Sequence, residues 1–559
     1  MVTRLRTQHA PAPQRPSWSG DPPSILHALI DACRRAPQKA CIVFEGRRYT
    51  YADVLRRAAG WAGAMRASGL RPGERVALYL ENCPDLLFAY LGAHLAGAIV
   101  VPVNVQYRQV ELRHIFSDAG VRLCVTDAER VAELQRVAPE LPALELVVVV
   151  PAKDEGPEAG PRAGGTLGPA ADDGPQRRQG DLRLCAGPSF LATASGGAEN
   201  PGAWPLPRPD DVALIAYTSG TTGRAKGAML THGNLAANSV AVTTAWRWTA
   251  DDVLLLALPL FHIHGLGVGW HGTVVAGSTV ELRRRFDAAE VYDTLLQGTV
   301  TMFFGVPTMY TRLIAEARRR AERPAPIRLY VSGSAPLSVQ TFEEFERLFG
   351  QCILERYGMT ETIMNLTNPY DGERRPGTVG LPFPGQEARV VDLQTRRPVP
   401  DGTVGEIQVR GPHVFKGYWQ NPQATAEAFD DEGWFNTGDL GWRSPDGYFT
   451  ISGRAKELII SGGYNIYPRE VEEVLATHPG IAEAAVLGLP DPEYGEQVVA
   501  AVVRRPRADV TAEALVDFCR ERLASYKKPR RVVFLDALPR NALGKVQKHV
   551  LRAQLAAGH

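Results

Sequence analysis

Twice along this chain, short apolar strand-like runs alternate with amphipathic helical stretches, and this alternation restricts the fold more than any other feature. In the first run, Ser24–Arg35, Tyr51–Ser68 and Pro84–Ala96 read as helices, and Arg75–Tyr79, Ile99–Pro102 and Leu123–Thr126 as strands. In the second, at about 250–357, strands fall near Val253–Leu258, Thr279–Leu282, Met302–Phe304, Arg328–Ser332 and Cys352–Glu355. The pattern predicts an α/β fold with two α/β sheet subdomains and largely parallel strands. From about 377 to 452 it changes to short alternating strands with glycine turns, at Ala388–Asp392, Gly405–Val409 and Tyr448–Ser452, which predicts a β-barrel-like subdomain. From Lys456 onward, helix, strand, strand, helix and strand describe a small α+β domain.

A break separates the two runs. Residues 151–180 hold 7 Gly and 5 Pro among few apolar residues, too little to offset the entropy of ordering. A flexible insertion is expected over 151–207, although an ordered loop is open for Leu182–Ala192. Residues 1–20 carry Arg4, Arg6 and Arg15, several prolines and no acid, and read as a disordered tail without a secretory core. The longest apolar run, Val253–Phe261, stops at His262, well short of the ~20 residues of a membrane span. A formal charge of +1 removes the electrostatic case for a nucleic-acid or anionic-membrane binder. Seven cysteines with no CxxC pair argue against a disulfide framework or zinc site and fit a reducing cytoplasm.

The strongest chemical signal is Tyr217-Thr-Ser-Gly-Thr-Thr-Gly-Arg-Ala-Lys-Gly227. The apolar run Val212–Ala216 feeds a loop of hydroxyls and glycines that can turn backbone N–H groups toward an anion, with Lys226 adding charge. No GxxxxGK[ST] spacing occurs, so this is not a Walker loop. Read alone, its plainer alternative is a mobile Gly/Thr turn. Four further segments follow in order: Tyr357-Gly-Met-Thr-Glu361, Gly433-Trp-Phe-Asn-Thr-Gly-Asp439, Gly453-Arg-Ala-Lys-Glu457 leading to Ser461-Gly-Gly-Tyr-Asn-Ile-Tyr-Pro468, and Pro539-Arg-Asn-Ala-Leu-Gly-Lys545.

The ordered set resembles the adenylate-forming (AMP-binding) superfamily of acyl-CoA synthetases, peptide-synthetase adenylation domains and luciferases, over 21–559 except the insertion. One departure is Ala225, where the family usually has proline before the loop lysine. The resemblance implies an AMP-binding domain over 21–454 and a small mobile C-terminal domain over 455–559. It implies that Thr218, Ser219, Gly220, Thr221, Thr222 and Gly223 wrap the ATP phosphates beside Lys226. Thr360 is expected on the α-phosphate, and Glu361 and Thr221 on Mg²⁺, a hard cation that takes oxygen ligands. Gly333, Ser334, Ala335, Pro336, Tyr357, Gly358 and Met359 should line the adenine site, with Asp439 on the ribose, supported by Arg454. Lys545 should bridge the acid and the α-phosphate, offsetting developing charge. Lys456 takes the hinge position, and Ser461, Gly462, Gly463 and Tyr464 the thiol tunnel of a second domain pose. Each residue alone has a plainer reading: Asp439 as a turn-former, Glu361 as a helix cap, Lys545 as a solvated charge.

The implied chemistry is acyl-adenylate formation from MgATP, then attack by the thiol of coenzyme A. No carrier domain follows residue 559, which favours free CoA as acceptor. Within the superfamily, Leu354–Asn365, Asn368–Glu373, Arg328–Pro336 and Arg540–Lys548 are similar to malonyl-CoA synthetases. A distal carboxylate must find a buried cation. Arg312 matches the arginine position of those enzymes, while an i,i+4 surface pair with Glu316 is the competing reading. In Phe261-His-Ile-His-Gly265, an extended segment would put His262 and His264 on one side. His264 is expected as an acyl-pocket wall, with Ser334 and Met364 completing it; metal binding with His271 carries little weight. The alternatives are a short- or medium-chain fatty acid, capped by Trp270 and Met364, and, from other classes, a nucleotide-binding scaffold, a luciferase-like monooxygenase or a carrier-protein ligase.

Overall fold

The computed structural model describes residues 22–151, 182–193, 205–218, 225–461, 463–541 and 544–557. Two large sheets form its centre. The first runs in the order Gly417–Tyr418, Lys226–Thr231, Val212–Thr218, Ile99–Pro102, Arg75–Tyr79, Val121–Asp127, Leu146–Val150, Arg183–Ala186. It is parallel from Val212–Thr218 onward, and Lys226–Thr231 folds back on Val212–Thr218 as an antiparallel hairpin. The second has a parallel centre, in the order Leu354–Tyr357, Leu329–Ser332, Met302–Gly305, Val253–Leu256, Thr279–Leu282 and Ala40–Phe44, with antiparallel strands at both edges.

Parallel sheets need cover on both faces, and helices supply it. Pro84–Leu95 is buried around its whole circumference. It crosses Tyr51–Ala67 at Gly92, where a Cβ would lie 2.5 Å from Cβ of Trp61. Asn82 ties the two halves together: its amide donates to the carbonyls of Leu258 (2.9 Å) and Arg283 (3.0 Å) and its carbonyl accepts from Leu260 N–H (2.8 Å).

Glu387–Val391, Gly405–Arg410, Phe435–Arg443 and Phe449–Arg454 form a four-stranded antiparallel meander. The C-terminal part builds its own five-stranded sheet, in which the long pair Ile481–Asp491 and Gly495–Arg504 is joined in parallel by Arg531–Phe534. It carries its own apolar core around Ile459, Val471, Val486, Val498 and Leu515.

Two expectations need revision. Within the expected insertion, Arg183–Ala186 is an edge strand parallel to Leu146–Val150, and Gly187–Ala192 a short helix. The local reason is apolar: Phe190 is buried beside Trp61, at 5.6 Å between ring centroids. Residues 152–181 and 194–204 of that insertion, and the expected tail, lie outside the described residues. Second, His262 and His264 are not on an extended segment. His264–Trp270 is a π-helical turn. Its glycines are needed for packing: a Cβ at Gly265 would lie 2.4 Å from the carbonyl oxygen of Pro259, and one at Gly269 2.7 Å from Leu256. No helix among the described residues is long and apolar enough to cross a membrane.

Candidate active site

In parallel α/β sheets, ligands bind beyond the carboxyl ends of the strands. Here four neighbouring strands of the second sheet end at expected site segments. Val253–Leu256 leads to His262 and His264, Met302–Gly305 to the helix Pro307–Arg319, Leu329–Ser332 to Gly333–Pro336, and Leu354–Tyr357 to Gly358–Glu361. Two non-glycine residues there hold left-handed backbone, Ser334 (φ 69°) and the buried Ile363 (φ 60°). A β-branched residue in that region is strained. The Tyr357–Met364 turn folds back so tightly that a Cβ on Gly358 would lie 2.0 Å from Ile363 oxygen. Behind it, Glu355 accepts from Leu337 N–H at 2.9 Å, fixing the Gly333–Pro336 loop, and burial raises its pKa to about 7.

The meander closes one wall. Asp439 is buried, with Oδ1 2.8 Å from Arg454 Nε, while the Tyr357 hydroxyl donates to Oδ2. Both partners orient the carboxylate, and each carboxylate oxygen keeps lone pairs for a further donor. Glu361 is buried too, accepts from the Tyr418 hydroxyl at 3.0 Å, and is pushed up in pKa by burial. The Lys226 ammonium lies 5.1 Å from the Tyr418 ring centroid. Lys226, Tyr418 and Glu361 therefore form a chain between the loop stalk and the buried carboxylate. A buried oxygen donor of this kind fits a hard cation such as Mg²⁺.

Lys545 comes from the C-terminal part, yet its charge acts on this same cleft. It keeps accessible surface, but the surrounding protein lowers its pKa by desolvation, Arg454 lowers it further, and Asp439 and Glu457 oppose the shift. Its loop docks on the helix Pro307–Arg319: a Cβ on Gly544 would meet Thr308 Oγ1 at 2.7 Å. Lys456 sits in the turn Ala455–Glu457, where desolvation lowers its pKa, Arg454 and Lys226 lower it further, and Glu457 and Asp439 oppose the shift. Lys548 pairs with Glu472 (2.7 Å) and Glu457 (3.5 Å), anchoring the last helix beside that turn.

Through these contacts and charge interactions the structure brings Lys226, Gly333–Pro336, Tyr357–Glu361, Asp439, Arg454, Lys456 and Lys545 near one another. Thr218 ends its strand beside Lys226, its hydroxyl 3.5 Å from that carbonyl. Ser219, Gly220, Thr221, Thr222, Gly223 and Gly462 lie outside the described residues. Ser461, Gly463 and Tyr464 stand elsewhere, on the hairpin Ile459–Ser461/Tyr464–Ile466, where Tyr464 stacks on Tyr526 at 4.5 Å.

On the acid side, His264 Nδ1 lies 3.0 Å from Ser334 Oγ, and Met364 is buried with its carbonyl on Asn238 (2.9 Å). Arg312 is on the exposed face of its helix, and Glu316 pairs with Arg319 and Arg320. That face of the helix turns away from its core-facing residues Tyr310, Leu313 and Ile314 and includes Thr308, one turn before Arg312, which the Gly544 loop approaches. Among the described residues, Arg356 is a buried cation, 3% exposed, whose Nε and Nη2 have no hydrogen-bond partner. It packs under Gly333, where a Cβ would lie 2.4 Å from its Cζ. Burial lowers its pKa to about 9. Burial lowers His262 to about 4, helped by the charges of Arg356 and Lys545, and holds His264 far below the usual range, again helped by Arg356. The sequence signal for Arg356 was two adjacent charges, Glu355 and Arg356, in a strand buried on both faces. His271 bonds instead to the Tyr90 hydroxyl at 2.7 Å.

The AMP-binding enzyme model matches residues 29–419, and the AMP-binding enzyme C-terminal domain model matches 470–545. The chain belongs to the AMP-binding enzyme family. It is 38% identical over 530 residues to a feruloyl-CoA synthase of Amycolatopsis (94% of this chain, 97% of that one). It is 38% identical to a sulfoacetate–CoA ligase of Cupriavidus necator (90% and 92%) and 33% identical to a malonate–CoA ligase of Arabidopsis thaliana (96% and 90%). The crystal structure of ATP-bound MatB from Rhodopseudomonas palustris superposes with a TM-score of 0.84 at 38% identity, covering 95% of this chain and 98% of that one. This AMP-binding enzyme is an acyl-CoA ligase of mixed α/β fold with a separate C-terminal domain.

Proposed function

We propose that this ligase activates a short carboxylic acid bearing a second anionic group, malonate or methylmalonate, with MgATP, and passes the acyl group to CoA with release of AMP and diphosphate. The observation that carries the reading is Arg356. A buried guanidinium with two unpartnered N–H groups is costly unless an anion pairs with it, and its planar fork suits a carboxylate. A neutral acyl tail would leave it unpaired. Two of the similar enzymes are named for acids with a second anionic group, malonate and sulfoacetate.

In this reading, Asp439 and Tyr357 hold the nucleoside, Glu361 holds the Mg²⁺ that neutralises the phosphates, and Lys226 faces the β- and γ-phosphates. The reacting carboxylate attacks the α-phosphorus between Thr360 and Lys545, and diphosphate leaves. His264, held by Ser334, and Met364 bound the acid, and Arg356 pairs with its distal anion. Lowered pKa values keep His262 and His264 neutral, so Arg356 is the distal charge partner. The CoA thiol then displaces AMP, with Ser461 to Tyr464 serving the second domain pose.

Diphosphate release tests the reading, with malonate, methylmalonate, sulfoacetate, butyrate, octanoate and ferulate supplied with and without CoA. Malonate or methylmalonate should be preferred, with a CoA-dependent thioester. Arg356→Leu should cost these acids about a hundredfold in kcat/KM, as expected for losing one partner of a buried charge pair, and butyrate far less. Preference for octanoate or ferulate, or equal loss on all acids, overturns the dianion reading.

A further inference from the structure

Both stalks of the phosphate-loop hairpin are held by one helix of the first sheet. On Gln109–Ala119, His114 and Asp118 stand four residues apart and so share a face. His114 Nε2 lies 2.7 Å from the carbonyl oxygen of Ala225, at the outgoing stalk next to Lys226. A carbonyl only accepts, so the imidazole must carry its proton on Nε2. Asp118 accepts from the hydroxyl of Tyr217, on the incoming stalk, at 2.5 Å, and the His114 and Tyr217 rings meet edge to face. The Asp118 carbonyl also accepts from the Trp419 indole at 3.0 Å, and Trp419 N–H donates to Gly227 oxygen at 2.7 Å. Gly227 permits this approach, since a Cβ there would lie 2.6 Å from Ile215 and 3.4 Å from Trp419.

We propose that His114, with Asp118, is a positioning residue for MgATP: it fixes the Ala225 carbonyl and so aims Lys226 over Tyr418 toward Glu361. The position it holds is Ala225, whose φ is free to vary where a proline ring would fix it. The hydrogen bond supplies from outside the restraint that the residue itself lacks. The inference rests on Lys226 facing the ATP phosphates and not on the identity of the acid.

Its test is kinetic. His114→Ala should raise KM for MgATP in ATP–diphosphate exchange about tenfold, the worth of one well-made hydrogen bond to a poised loop, with KM for the acid unchanged. His114→Gln, whose amide N–H can occupy the Nε2 position, should retain most of the wild-type KM. Ala225→Pro introduced into His114→Ala should restore it at least partly, by fixing φ covalently. Conversion of supplied acyl-adenylate to thioester, which involves no β- or γ-phosphate, should be unaffected and doubles as the control for folding. Unchanged KM for MgATP in His114→Ala, or equal damage to both half-reactions, overturns the proposal. Lys226→Ala separates the premise from the inference: if it too leaves MgATP use unchanged, the lysine assignment has failed; if it alone impairs MgATP use, the histidine anchor has.

Discussion

Arg454 Nε lies 2.8 Å from Asp439 Oδ1, across the antiparallel pair in which these two residues are direct register partners. The arginine is the first residue beyond which the chain turns through Ala455–Glu457 into the C-terminal domain, so one ion pair joins the antiparallel meander to that turn.

Asp439→Asn should therefore damage more than ribose binding. It removes a charge-assisted acceptor and leaves Arg454 with only the weaker influence of Glu361 and Glu457. KM for ATP should rise at least about tenfold, with the acid KM little changed. Isothermal titration with ATP, compared with exchange kinetics, measures this directly; equal loss for ATP and acid would place Asp439 in folding only.

Gly333→Ala probes Arg356 without touching its charge. The added methyl would sit 2.4 Å from Cζ, so the guanidinium must move. Use of malonate should fall with use of butyrate retained, and the crystal structure of the variant should show a displaced Arg356. If malonate and butyrate fall together, the position serves adenine or packing instead.

Lys545→Ala should abolish adenylate formation and leave thioester formation from supplied acyl-adenylate near wild type, since in this pose the ammonium acts beside Asp439 and Arg454. Single-turnover assays of each half-reaction distinguish the cases. Loss of both halves would contradict a role confined to the first pose.

Acid should destabilise the fold through buried histidines. Burial lowers His232 and His271 to about 3, and His94 well below its ordinary value, in a cluster where Tyr90 and His94 meet at 4.4 Å and His94 and His232 at 4.7 Å. The unfolded chain protonates these rings near 6.5, and the folded one does so only far below. Between those values the unfolded state binds more protons, so stability is full above about pH 6.5 and declines below it, by about 1.4 kcal/mol per pH unit for each ring. Tm measured at pH 7.5, 6.5 and 5.5 should drop mainly over the last interval. His232→Gln should make that drop shallower, and an unchanged slope would remove this ring from the linkage.

Much of this was written in local sequence. Strand and helix periodicity marked most parallel strands of both sheets, though not Ala40–Phe44, Leu146–Val150 or Arg183–Ala186, because neighbouring residues alone decide whether an apolar face recurs every two or every 3.6 positions. Ordered motifs marked Lys226, Glu361, Asp439, Arg454 and Lys545, because hydroxyls, glycines and charges are placed by short backbone turns that the sequence spells out.

Tertiary structure decided the rest. Ala40–Phe44, early in the chain, pairs with Thr279–Leu282, and no local pattern names a partner that far away. His264 opens a helical turn, with His262 in the bend just before it, and Pro259 and Leu256 crowd the glycines between His264 and Trp270. Above all, Arg312 and Arg356 look alike in a sequence. Only the packing of neighbouring strands and helices leaves one in solvent and strips water from the other, and a guanidinium gains its power to select an anion from that loss of water.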